Sequence, residues 1–119
     1  MDKMITAYKS AVLDNYANFS GRLSVPGYWW FFLANFIVGI VLNVLAQVSG
    51  IFLVLALVYS LAVLIPGIGA GIRRLHDTGR SGWWLLISLV PLVGIIVLIV
   101  FLASSGDEGS NQYGPPPVE

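Results

Sequence analysis

Three long apolar runs dominate the sequence and restrict what the chain can fold into. They cover about residues 28–48, 51–72 and 83–103, and each reaches the ~20 residues that a helix needs to cross a ~30 Å hydrocarbon core. Only 10% of the residues are charged, whereas a soluble domain carries about 25%, so polar side chains are too few to cover a globule in water. We therefore expect an all-α membrane protein, with three transmembrane helices in a domain spanning residues 23–103.

Two polar segments flank this domain. In residues 1–22, apolar side chains recur from Met4 to Phe19 at helical spacing, with charged residues on the opposite face. The pattern predicts a short amphipathic helix at the membrane surface, although a helix packed on the rest of the protein would show it equally well. Residues 104–119 are rich in Gly, Ser, Asn and Pro, which predicts an extended, mobile tail.

Glycine, serine and proline positions predict where the helices bend and end. Pro66 and Pro91 fall inside apolar runs that continue beyond them, so we expect each to kink its helix rather than to end it. Gly79 supplies a C-terminal stop for the second helix, which we expect to extend past the bilayer to about residue 77. Ser81 is placed to cap the third helix.

Basic residues set the expected orientation. The six of them divide equally between the segment before the first run and the loop between the second and third runs: Lys3, Lys9, Arg22, Arg73, Arg74 and Arg80. Because Lys and Arg stay on the cytoplasmic side, we expect the N-terminus and the 73–82 loop in the cytoplasm and the tail outside. Aromatic residues mark the same cytoplasmic interface: Tyr28, Trp29, Trp30, Trp83 and Trp84.

Several short motifs resemble those of one bacterial family. They are Asn15-Tyr16, Phe19-Ser20-Gly21-Arg22 and Tyr28-Trp29 near the start, RRLHDTGRSGWW at residues 73–84, Val90-Pro91 with Gly94, and GSNQYGP at residues 109–115. Together they resemble the domain-of-unknown-function 805 membrane proteins over nearly the whole chain. The resemblance implies a bacterial inner-membrane protein and supplies no biochemical activity. The chain departs from the family at residues 23–27, which lack a basic run, and at Gln112, where an Arg is usual, so anion contacts at those positions do not carry over.

The basic loop contains the strongest candidates for a binding site. Arginine binds phosphate bidentately, which makes the loop a candidate for lipid phosphate or another anion. The candidate residues are Arg22, Arg73, Arg74, His76, Asp77 and Arg80. The explanation that the sequence favours for the same residues is a topology signal with an ion-paired turn, in which Asp77 pairs with Arg73 or Arg74.

Catalysis and metal binding have little support in the sequence. His76 and Asp77 could form a general-base pair, but neighbours in a helix seldom point at each other. The chain has no cysteine and a single histidine, which excludes thiolate chemistry and a multi-histidine metal site. We therefore expect a protein that is not an enzyme, with no catalytic residue, metal or cofactor.

A polar stripe follows one face of the first run. Asn35, Gly39, Asn43 and Gln47 recur every four residues, and amides inside a membrane prefer to face protein or water. The stripe predicts packing between the helices, or alternatively a polar path or an interface with a second copy or a partner membrane protein.

The predicted function is thus that of a non-enzymatic membrane component that contacts lipids, anionic ones included, or protein partners. The alternative is a subunit of a small oligomeric channel or transporter, although no charged residue lies inside a run. Zero net charge argues against a nucleic-acid partner.

Overall fold

A computed structural model describes residues 2–117. They form α1 (Asp2–Lys9) with a π-helical turn (Ser10–Asp14), α2 (Val25–Ala46), α3 (Gly50–Asp77), a 3₁₀ segment (Gly82–Leu89) and α4 (Val93–Ala103). The only strand-like pairing in this range is a single bridge between Asn111 and Gly114. The prediction of an all-α membrane protein is confirmed.

Two helices, α2 and α3, are long and apolar enough to cross a membrane. Only 6% and 11% of their most apolar windows are buried, so their side chains face outward as lipid-exposed helices do, unlike the core helix of a soluble protein. Ser49 caps α3 by accepting a hydrogen bond from the backbone N–H of Ile51, and Pro66 lies inside α3 without ending it. The first two predicted helices are therefore confirmed, with α3 continuing to Asp77 as expected.

The N-terminal segment packs on the rest of the protein. Ala11 in the π-helical turn, Phe31 in α2 and Ala70 in α3 form a buried apolar cluster. The helix ends at Asp14, short of the predicted Phe19, because the amide of Asn15 turns back to the carbonyl of Ser10. Met1 lies outside the described residues.

The third apolar run does not form one helix, which corrects the prediction for residues 83–103. The 3₁₀ segment extends ~16 Å at ~2.0 Å per residue, and α4 extends ~16 Å at ~1.5 Å per residue. Each arm covers about half of a ~30 Å core, so neither can span it. The chain reverses at Val90–Leu92, and the two arms form a hairpin that returns to the face where it began.

The reversal has a local cause. Pro91 removes a backbone donor, and Leu92 adopts a φ of +61°, outside the helical region. Gly94 then passes so close to the 3₁₀ segment that a Cβ there would overlap the carbonyl oxygen of Ile87. At the exposed tip the amide of Val93 donates to the carbonyl of Pro91 and that of Gly94 to Val90, which satisfies two donors that lipid could not.

The hairpin packs against the C-terminal half of α3. Gly82 sits against the Ile72 side chain, and Gly71 faces Leu85 closely enough that a Cβ would lie 3.2 Å from it. These two glycines allow the 3₁₀ segment to approach α3 along its length. The arrangement places the end of α4 beside the end of α3, where the polar residues gather.

Candidate functional site

A buried carboxylate organises the polar residues at this end of the molecule. Arg22 Nε donates to Asp77 Oδ1 at 2.9 Å, and Arg74 Nη1 donates to Asp77 Oδ2 at 2.6 Å. All three side chains are at most 5% exposed. Removal from water strengthens such ion pairs but makes either partner costly to leave alone. Of the two predicted partners for Asp77, the structure selects Arg74, and it adds Arg22.

Arg74 ties the ends of three elements together. Its Nε donates to the carbonyl of Leu102 at 2.9 Å, its Nη1 to that of Leu23 at 2.9 Å, and its Nη2 to that of Ser104. The guanidinium thereby caps the C-terminus of α4 and holds the segment before α2.

Arg22 performs the same role for the tail. Its Nη1 donates to the carbonyl of Gly109 at 2.6 Å and to that of Gly114 at 3.1 Å, and its Nη2 to that of Asp107 at 2.6 Å. The backbone amide of Asp107 in turn donates to the carbonyl of Asp77 at 2.7 Å. The tail is thus folded around the ion cluster.

His76 adds a stacked contact. Its ring lies parallel to that of Tyr113, with centroids 3.9 Å apart and planes inclined by 3°. Its Nδ1 is 2.9 Å from the carbonyl of Gly21, which assigns the proton to that nitrogen in the neutral ring. Asn111 Nδ2 donates to the carbonyl of His76 at 2.9 Å. We call Arg22, Arg74, His76, Asp77 and tail residues 104–117 the polar cap.

The polar cap corrects two predictions about the tail. Residues 104–114 are held by hydrogen bonds to the rest of the protein, so this part of the tail is neither extended nor free. They also cannot lie across a membrane from the 73–82 loop that they contact, so the expectation of opposite sides is wrong. Residues 118–119 lie outside the described part of the chain.

The remaining predicted site residues do not form a solvated basic patch. Arg80 follows the end of α3, so it leaves the helix face shared by Arg73, His76 and Asp77, and its guanidinium stacks 4.0 Å from the centre of the Phe101 ring. Arg73 is 5% exposed, yet its Nε and Nη2 have no hydrogen-bond partner in the described structure. It lines a cavity of about 290 Å³ under α1.

His76 and Asp77 share no hydrogen bond within residues 2–117. Both Asp77 oxygens accept from arginines, and His76 Nδ1 faces a backbone carbonyl. Nearby hydroxyls are also engaged, since Thr78 donates to the carbonyl of Leu75 and Ser81 accepts from the amide of Trp83. The described residues contain no group of three potential acidic or imidazole ligands suited to a metal ion.

A large groove separates α2, α3 and the hairpin. It encloses about 900 Å³, and its walls are mainly aliphatic, with no Asp, Glu, Lys or Arg among the lining residues. His76, Ser81 and Trp83 line the end nearest the polar cap, and Tyr59 and Ser60 contribute hydroxyls farther along. Such a volume is in the range of small-ligand sites.

The predicted polar stripe divides between two environments. Asn35 Oδ1 accepts from the Tyr59 hydroxyl at 2.6 Å, which joins α2 to α3. Within residues 2–117 the Asn43 side chain bonds only to the Gly39 carbonyl of its own helix, and both Asn43 and Gln47 are exposed. These stripe residues line a second groove of about 560 Å³, which shares Asn35 and Gly39 with the first.

The predicted aromatic anchors lie around the polar cap. Trp29 Nε1 donates to the carbonyl of Leu102 at 3.2 Å, and Trp84 meets the edge of Phe101. Trp30 lines the cavity of Arg73, Tyr28 lines the groove, and Trp83 is 78% exposed at the end of the groove nearest the polar cap.

Sequence reasoning missed the tail side chains. The Asn111 amide donates to the carbonyl of His76 and the Tyr113 ring stacks on His76, whereas Asp107 contributes its backbone carbonyl to Arg22. The sequence feature that could have identified the tail is its motif at residues 109–115, which accompanies the central motif in the family that the chain resembles.

Comparisons with known proteins agree with the resemblance. The family model described as "Protein of unknown function (DUF805)" matches residues 16–115. "Inner membrane protein YhaI" of Escherichia coli strain K12 is 47% identical over 108 residues, covering 90% of this chain and 92% of the relative. "Inner membrane protein YhaH" of the same strain is 40% identical over 111 residues, covering 89% and 92%. No solved structure matches the chain. The chain therefore belongs to the DUF805 family.

Proposed function

We propose that this protein is a non-enzymatic component of a bacterial inner membrane that holds a lipid-like amphiphile in the groove between α2, α3 and the hairpin. The inner-membrane names of its relatives support the location. The groove is the observation that carries the proposal.

The charge distribution supports an orientation for this protein. We propose that the N-terminal segment, the 73–82 loop and the tail all face the cytoplasm, with the turn between α2 and α3 on the other side. All six basic residues of the sequence then lie on the cytoplasmic side, as the positive-inside rule expects. Acidic residues of the tail do not weigh against this, because the rule counts Lys and Arg.

The lining of the groove indicates what it would hold. The interior of the groove is mainly aliphatic. Its polar groups are hydroxyls, one amide and the His76 ring. An ionised group would gain no opposite charge there, whereas a chain with an uncharged, hydrogen-bonding head would match both regions. A diacylglycerol has this chemistry and serves as the probe.

Leucine at Gly67 should block the groove without disturbing its walls. A Cβ on Gly67 would meet no heavy atom within 4 Å, so a larger side chain can extend into the open volume. The leucine would displace apolar contacts worth about 1.5–3 kcal/mol. We therefore expect Gly67→Leu to weaken diacylglycerol binding by about tenfold or more, measured by native mass spectrometry from mild detergent.

Gly50→Leu is the matched control. Gly50 lies on the same helix, also has no neighbour within 4 Å of a built Cβ, and does not line the groove. We expect this variant to retain diacylglycerol as the wild type does. If the Gly67→Leu variant retained diacylglycerol equally well, the groove would not be the binding site.

A channel or transporter subunit is the second candidate. The observation that favours it is the junction of the two grooves at Asn35 and Gly39, which extends a partly polar surface from the polar cap toward Gln47. A second copy packed on this face would enclose the path. A defined homo-oligomer in native mass spectra, with solute flux in proteoliposomes, would favour this function, and a monomer would count against it.

A further inference from the structure

Arg73 lies beside the polar cap, and its buried N–H donors have no hydrogen-bond partner within residues 2–117. Arg22 and Arg74 use their donors on Asp77 and backbone carbonyls, and Arg80 stacks on Phe101. Arg73 is only 5% exposed, and in the described part of the chain neither its Nε nor its Nη2 has a hydrogen-bond acceptor. Its backbone carbonyl accepts from the Leu23 amide, so its main chain is fixed while its guanidinium is not engaged.

When no anion is bound, an unpaired buried cation destabilises the folded protein. Desolvation disfavours the charge, and arginine cannot relieve this by losing its proton. Within residues 2–117 no carboxylate lies within 4.0 Å of the Arg73 guanidinium. The two ion pairs found there are formed by Arg22 and Arg74 with Asp77. The unused donors therefore fit an anion that the chain itself does not supply.

The cavity beside Arg73 has the composition of an anion site. It encloses about 290 Å³ between α1 and the start of α2, and Lys3, Thr6 and Ser10 line it together with Arg73. Asp2 also lines the cavity, so its two cations and one carboxylate leave a charge of +1. That charge matches a singly ionised phosphodiester, and Thr and Ser hydroxyls can donate to its oxygens.

The position of the cavity matches the headgroup level of a bilayer. Trp30 lines it, and tryptophan concentrates where hydrocarbon meets headgroups. The volume admits a phosphate with its first substituents but not lipid chains, which would extend outward along α2. None of the residues that line this cavity lines the groove, so the two sites are separate.

We propose that Arg73 and Lys3 bind a phosphate group in the cavity beneath α1, with the Arg73 guanidinium contacting two phosphate oxygens. This site is independent of the groove. A phospholipid headgroup and free phosphate share the recognised chemistry, and the two sources are separated below.

Arg73→Met is the informative variant because its two expected effects have opposite signs. In lipid-free detergent the full chain should gain thermal stability, since the variant removes an unpaired buried charge and keeps the length of the side chain. Phosphatidylglycerol should raise the melting temperature of the wild type more than diacylglycerol with the same chains. The variant should lose this difference, and its affinity for phosphatidylglycerol should fall by about tenfold or more.

Two controls define the outcome. Arg80→Met removes the same charge outside the cavity and should keep the full response to phosphatidylglycerol. Gly67→Leu should lose the diacylglycerol response and keep the phosphate-dependent difference, so failure of the groove and failure of this site are distinguishable. Stabilisation of the wild type by inorganic phosphate alone, lost in Arg73→Met, would assign the site to a soluble anion.

Equal phosphatidylglycerol affinity in the wild type and in Arg73→Met would overturn the proposal. So would a variant that is less stable in lipid-free detergent yet keeps the phosphate-dependent difference, because Arg73 would then act only in the fold.

Discussion

Replacing Asp77 with asparagine should lower the free energy of unfolding by about 3–5 kcal/mol, because it leaves two buried guanidinium groups without their counter-charge. Arg22 and Arg74 each donate to one Asp77 oxygen, and all three side chains are almost fully buried. Asparagine keeps the shape but offers one acceptor and a competing donor. Unfolding in mild detergent, followed by circular dichroism, would measure the loss.

Proteolysis should report where the Asp77→Asn variant loosens. Arg22 holds the tail through the carbonyls of Asp107, Gly109 and Gly114, so a displaced Arg22 should release it. We expect cleavage within residues 104–117 well before cleavage in α2 or α3.

Asp107→Asn is the matched control for this prediction. Asp107 is exposed, and among the described residues its side chain accepts from Asn111 alone, while its main-chain bonds would remain. The expected change is within about 0.5 kcal/mol. An Asp77→Asn variant as stable as this control, with its tail still protected, would show that the ion cluster does not hold the polar cap.

Adding a methyl group at Gly94 should open the hairpin. The new Cβ would overlap the carbonyl oxygen of Ile87 and lie 3.0 Å from the Val90 Cβ, so the 3₁₀ segment and α4 would have to separate. Backbone cannot yield as a flexible side chain does, and we expect Gly94→Ala to destabilise the fold by about 2 kcal/mol or more. Detergent unfolding measures this directly.

Gly39→Ala is the control, and we expect its effect on stability to have the opposite sign to that of Gly94→Ala. Gly39 is also a helical glycine in an apolar helix, but a Cβ there meets no atom within 4 Å. The substitution should be neutral or stabilising by up to about 1 kcal/mol. If both alanine variants were equally stable, the close approach of Gly94 to Ile87 would not be a feature of the fold.

Local signals in the sequence were sufficient for the two long helices. Their apolar lengths and the stop at Gly79, whose φ is +78°, agree with the structure, because each depends on residues near in sequence. The expectation that Pro66 does not end its helix is also confirmed, since α3 continues through it.

The same reasoning failed for the third run because apolar length and proline position do not reveal the reversal at Val90–Leu92 or the contacts that hold it. Pro91 resembles Pro66 in its apolar surroundings, but only Pro91 is followed by a chain reversal. Residues 83–103 have the length of one span, and what folds them back is the approach of Gly94 to Ile87 and the bond from Arg74 to Leu102.

The candidate site was predicted in composition but not in arrangement. The sequence identified the arginines of the 73–82 loop and Arg22, yet counting charges treated them as exposed. In the structure the tail satisfies Arg22, backbone carbonyls satisfy Arg74, and Arg73 is left with unused donors. Hydrogen bonds to backbone carbonyls have no sequence signature, so this division could not be derived from residue types.

Cysteine accessibility across the membrane tests the central claim, that the hairpin returns the tail to the side of the N-terminus. The chain has no cysteine, so Lys9→Cys, Val48→Cys and Ser110→Cys each give one reactive thiol at an exposed position. An impermeant maleimide applied to inside-out vesicles should label the Lys9 and Ser110 variants, and applied to right-side-out vesicles only the Val48 variant. Labelling of Lys9 and Ser110 variants from opposite sides would contradict the account.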